Sequence, residues 1–213
     1  EALETEAGKK IQDALAASER AMKQQEAEAE AREEKLLTAA KLQIKNLCEN
    51  YRFTEAASLI RAVDVKRERS IGERELLTKR VDWLVEFKKR LIADINAAGC
   101  TVPLLKKNGQ KLLGAVSRAD DQQLELRVQF GVLPAVKWID ISPMSILQMA
   151  RTFMRPTLSQ TALADREWQA AVFCLFTGLF NEGQALMDDA VNRKPEYQND
   201  RALFFGQSTS GPQ

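Results

Sequence analysis

In 213 residues the chain has no histidine, three cysteines, six prolines, ten glycines and only 7% aromatic residues. The missing histidine removes the commonest general base near neutral pH, the usual zinc and iron ligand, and every nucleophile–histidine dyad. Cys48, Cys100 and Cys174 are far apart, show no CxxC spacing, and would give a metal three thiolates at most. Their odd number argues against a disulfide framework. They read as buried thiols in a reducing compartment, the cytoplasm foremost. No apolar run nears the roughly 18 residues that cross a bilayer, and no signal peptide is visible. The glycines form neither GxxxxGK[ST] nor GxGxxG, so no phosphate loop is expected. With 31 basic and 30 acidic residues, the net charge of +1 gives no global pull toward nucleic acid or an anionic membrane. The chain opens on Glu1 rather than methionine and reads as a piece of a longer protein. Membrane contact is expected only through a segment outside it.

What is present is helical periodicity on either side of a β-rich stretch. Residues 1–47 are dominated by Ala, Glu, Lys, Gln and Arg, strong helix formers. Leu3, Ala7, Ile11 and Leu15 step by four, and Met22 continues the stripe past polar Ser18. The stripe thins in QQEAEAEAREEK, so this region predicts a long charged helix, with two readings open: a stalk or coiled-coil segment, or a frayed, partly disordered N-terminal extension. Residues 48–99 predict a helical hairpin. Its first member, the chain's second helix, begins near Thr54, and its second member is signalled by the capping box Ser70–Glu73 and stopped by Gly99. Trp83 and Phe87, four apart, share one face of that last helix.

Over 101–142 the rhythm changes. Val102–Lys106 precedes Asn108-Gly109, a strong hairpin signal, and Gln110–Ala119 follows. Leu124, Leu126, Val128 and Phe130 then alternate with polar residues, as a half-buried strand does. Ala135–Ile141 ends the module, and Ser142-Pro143 opens a helix running to about Arg155. Residues 143–205 predict C-terminal helices at 165–178 and 181–193 after a 157–164 linker, with a short turn at Ala202–Phe205. Residues 206–213 have the composition of a disordered tail. The fold class is α+β and mostly helical, with an inserted small antiparallel β-barrel or curled sheet.

Two resemblances refine this expectation. FNEGQALMDDAVNRKP places Phe180, Gly183, Ala190 and Pro195 at the offsets of the second helix of a tetratricopeptide repeat, with Gly178 where that family turns. Phe53 and Ala56 of YRFTEAASLI match another half-repeat, whereas Trp168, Ala170 and Ala171 are only loosely in register. The chain thus resembles that family in its helical hairpins, without a sustained 34-residue period. The β module is similar in length and turn pattern to small barrels of the Src-homology-3 or Sm type, which bind peptides, nucleic acid or cell-wall fragments.

For function, the sequence predicts no catalytic, metal or cofactor site. Asp120-Asp121 fits a turn, and Asp140 fits a strand-end cap. The expected role is a non-catalytic interaction or scaffold segment that binds a protein partner or itself through helical surfaces. Candidate interaction residues are the aromatics Trp83, Phe87, Phe130, Trp138 and Trp168, for each of which core packing is the competing use, and Lys106, Lys107 and Lys111. Two alternatives stand beside that role. If those lysines converged with Lys88, Lys89 and Arg90, they would form a phosphate-tracking patch for nucleic acid. A glycan or cell-wall binder would instead need an exposed aromatic platform.

Overall fold

The computed structural model of the chain describes residues 2–129 and 131–205. Phe130 and the 206–213 tail lie outside the described residues. Helix α1 runs from Ala2 to Glu49, about 70 Å at 1.5 Å per residue. Leu37, Ala40, Ile44 and Cys48, in its last third, fall on one stripe and are buried. The chain then reverses at Tyr51, whose φ of 57° is rare for a residue with a side chain. The Arg52 N–H reaches back to the Leu47 carbonyl at 2.9 Å and closes the helix end. Helix α2 follows at Phe53–Arg61, one residue ahead of the expected Thr54 start, with no side chain capping it.

Helix α3 spans Glu68–Ala98 and begins before the Ser70–Glu73 box, which does not cap it. The cap comes instead from α1: the Glu33 carboxylate accepts from the Lys66 and Arg67 N–H groups at 3.1 and 3.2 Å. Arg67 in turn holds Glu30 at 3.1 Å and the Glu26 carbonyl. A carboxylate from 33 residues upstream satisfies donors that a local box would otherwise serve. Helix α3 ends where expected, at Gly99.

Six short strands follow: β1 Leu104–Leu105, β2 Lys111–Leu112, β3 Ala115–Ala119, β4 Gln123–Val128, β5 Gly131–Val132 and β6 Val136–Lys137. β1 and β2 form an antiparallel pair around Asn108-Gly109. β4 is the centre of a second antiparallel sheet, with β3 on one side and both β5 and β6 on the other. The module is therefore two small sheets and not a closed barrel. The expected run Gln110–Ala119 breaks at Gly114 into β2 and β3. The run after Pro134 keeps only two strand residues before a 3-10 turn at Trp138–Asp140. The free side of β3 is closed by Asn96 of helix α3 and by Cys100, just beyond the helix. The Asn96 carboxamide donates to the Ala119 carbonyl at 2.9 Å and accepts from its N–H at 2.8 Å. Cys100 pairs with Val116 through two backbone bonds of 2.8 Å. An edge sealed in this way has no need to curl round and pair with another strand.

Helix α4, Pro143–Thr152, starts as expected, with Ser142 Oγ accepting from the Ser145 N–H at 3.2 Å. Helix α5, Gln160–Phe176, begins inside the expected linker because Ser159 caps it through the Ala162 N–H. Helices α6, Phe180–Arg193, and α7, Tyr197–Phe205, are the last elements among the described residues. α5 and α6 pack closely at Gly183, where an added Cβ would stand 3.2 Å from the Ala171 carbonyl oxygen. One hydrophobic cluster runs through α1, α2, α3, the sheets and α4–α6.

Candidate interaction surface

The upstream part of α1 projects beyond its cover. Leu15 and Met22 are 59% and 56% exposed, the fractions expected for polar surface positions. They stand 22 and 15 residues before buried Leu37, about six and four turns at 3.6 residues per turn. Both therefore lie on the same side of the helix as Leu37, Ala40 and Ile44, the side that α2 and α3 cover farther along. The buried stripe stops at Leu37, and upstream of it Arg67 holds the Glu30 carboxylate and the Glu26 carbonyl at exposed positions.

The covered end of α1 runs into an elbow at Tyr51 fixed by two lysines. Lys88 of α3 is 8% exposed; its ammonium donates to the Tyr51 carbonyl at 2.8 Å and to the Asp121 carbonyl at 2.5 Å. It also stands 5.6 Å from the centre of the Trp138 ring. Burial lowers its pKa from the ordinary lysine value, while Asp121, Asp120 and Glu55 oppose that shift. Lys107 donates to the Glu49 carbonyl at 3.1 Å and lies 4.8 Å over the Tyr51 ring. The Tyr51 hydroxyl completes the joint by donating to the Ile141 carbonyl at 3.2 Å. Helix, elbow and sheet are thus tied through one residue with left-handed backbone. Beside the joint lies a cleft of about 590 Å³, bordered by Arg52, Glu55, Lys88, Asp121, Lys137 and Trp138. Its charges alternate in sign, and Arg52 is already paired with Glu55.

The candidate residues occupy different places. Trp168 and Phe87 are buried, Phe87 stacked on Phe173 with ring centres 4.6 Å apart. Trp138 is buried, and its indole N–H donates to the Asp120 carbonyl at 2.7 Å. Trp83 is half-buried, edge-on to Trp168 at 5.3 Å. Phe130 lies outside the described residues. Lys106 is half-buried and its backbone bridges to Ile141, whereas Lys111 is exposed on β2. Of the basic groups, Lys88 and Lys107 do come together, but onto backbone carbonyls of the elbow. Lys89 pairs with Glu86 at 3.6 Å. Tyr51 and Glu33 were not singled out by the sequence. Only their tertiary partners distinguish them from an ordinary core tyrosine and an ordinary surface acid.

The three thiols are free and buried. Burial pushes Cys48 and Cys174 up to about 12, with Glu49 adding to the shift at Cys48. Burial also raises Cys100, against a contact with Thr152 that lowers it. All three are protonated at neutral pH and shielded, which makes them poor nucleophiles. At pH 8 the folded chain should react with Ellman's reagent roughly 100-fold more slowly than the urea-unfolded chain. A fast phase of one thiol in the native protein would show that one of these sites is open.

Among the described residues no group of three or more acidic or cysteine side chains is placed to hold a metal ion. No described helix is long and apolar enough to cross a membrane. Compared with protein-family models, curated proteins and solved structures, the chain matches none.

Proposed function

We propose that this chain is a non-catalytic scaffold segment that joins another protein chain through the exposed stretch of α1 that carries Leu15 and Met22. The simplest occupant is a second copy of itself. One observation carries the reading: the side of α1 that the core covers from Leu37 to Cys48 continues upstream with Leu15 and Met22 exposed on it. Each large apolar side chain taken out of water there contributes about 1.5–3 kcal/mol if fully buried. Two copies lying side by side would bury four such residues. The elbow suits this role because Lys88, Lys107 and Tyr51 hold the arm in a fixed direction relative to the body. An arm held in place gives up less freedom on binding than a loose one.

Hydrogen exchange across residues 12–25 tests the reading in the intact protein. Exchange should slow as concentration rises from about 1 to about 100 µM, because only the associated state covers this side of the helix. In the double variant Leu15→Glu, Met22→Glu it should stay fast at every concentration. Equal exchange at both concentrations in the parent chain would set the self-association reading aside.

A further inference from the structure

Helix α7 closes the far end of the body by laying its side chains on aromatic residues of α3 and α5. The Tyr197 ring stacks flat on Trp168, 4.5 Å between centres and 2° between planes. Phe204 sits 5.8 Å from Trp83 and 6.1 Å from Trp168. Asp200 pairs with Lys79, and the Leu203 carbonyl accepts from Arg80, whose guanidinium lies 4.7 Å over the Phe204 ring. Nine residues are too few for a helix to persist alone in water, so α7 depends on this docking.

The fit is incomplete at one place. Among the described residues, two buried side-chain donors lack any partner, Trp168 Nε1 and Arg80 Nε. Both belong to the pair of side chains that flank Phe204. Trp168 is fully buried, so water does not answer its N–H. Buried donors are normally satisfied, and two failures around a single ring point to a groove whose present occupant lacks an acceptor. Arg80 already holds the carbonyl just before Phe204 through one arm of its fork. A chain that ended at the aromatic residue would put a carboxylate in reach of the rest of that fork.

We infer that α7 is a replaceable occupant of an aromatic groove, and that the groove's fitted ligand is the C-terminus of a partner peptide. That peptide ends in an aromatic residue with a free carboxylate and carries an acid four positions earlier, where α7 has Asp200. The acid meets Lys79, the aromatic ring enters between Trp83 and Trp168, and the carboxylate takes the free donors. This surface is distinct from the α1 arm, at the opposite end of the chain.

Two peptides matching residues 195–204 serve as probes, one ending in a free carboxylate and one in an amide. Both are titrated into the full chain carrying Phe204→Ala and followed by tryptophan fluorescence. The carboxylate form should bind at least about 10-fold more tightly than the amide, as a charge-assisted pair requires. Arg80→Lys added to that chain should abolish the difference. The parent chain should bind the same peptide about 10-fold more weakly, because α7 competes for the site. Equal binding of the two peptides, or binding of neither, overturns the inference. Should Phe204→Ala fail to fold, hydrogen exchange in the parent chain decides. Exchange in α7 should be roughly 100-fold faster than in α5, and equally slow exchange in both overturns it.

Discussion

Gly114→Ala should destabilise the chain by about 3 kcal/mol, near the top of the range for a backbone conflict. Gly114 links β2 to β3 with a φ of 99°, a region that residues with side chains rarely adopt. A Cβ there would stand 2.6 Å from the Arg127 carbonyl oxygen and 3.1 Å from a methyl of Val128. Arg127 is paired with both Ala115 and Val132, so relief requires moving the middle of the sheet. Gly72 gives the contrast. It lies on the exposed side of α3 with nothing within 4 Å of an added Cβ. There alanine should stabilise by up to about 1 kcal/mol, since glycine is a poor helix former. Urea unfolding of both variants measures the difference. Similar midpoints would mean that the backbone around Gly114 is looser than described.

Trp168→Ala should have a larger effect, about 3–5 kcal/mol, the usual range for emptying a buried aromatic site. In a chain of this size that corresponds to a melting temperature lower by about 10 °C or more. Trp168 has no exposed surface and touches Trp83 of α3, Tyr197 of α7 and Phe204 of α7. Its removal therefore undocks α7 before the core fails. Near-ultraviolet circular dichroism at low temperature should already show a weakened aromatic signal while the far-ultraviolet helical signal stays close to the parent's. Trp168→Phe keeps most of the packing and deletes the unpartnered N–H, and should lose less than half as much. If both substitutions were equally costly, the indole N–H would have a partner, contrary to the account of the α7 groove.

The legibility of the sequence varied with the range of the interactions involved. The helical character of α1 could be read because its residues are strong helix formers and no proline interrupts them, although composition left the order of its N-terminal part open. Ser142-Pro143 could be read because its cap bond spans three residues. β4 could be read because Leu124 and Leu126 alternate with exposed or half-buried neighbours, as a one-sided sheet demands. The start of α3 was misplaced because its cap, Glu33, comes from another helix. The sheet was expected to be a barrel or a curled sheet, and it does not close. Asn96 and Cys100 seal the β3 edge, and no spacing within 101–142 reveals that. Lys88 looked like one of three surface cations because its neighbours Lys89 and Arg90 are basic. Its burial follows from the position of the Tyr51 elbow, itself in a backbone conformation that local sequence does not mark. The aromatic candidates share a different ambiguity. Trp83, Phe87 and Trp168 have the helical spacing that core and docking surfaces have in common, and only the placement of α7 separates their roles.

The free arm of α1 is tested most directly by sedimentation equilibrium of the full chain. At about 100 µM the account predicts an associated species of twice the 23.9 kDa chain mass. The double variant Leu15→Glu, Met22→Glu should return it to a single chain without changing its unfolding midpoint. A parent chain that stays at 23.9 kDa at that concentration, or a double variant that still dimerises, would contradict it.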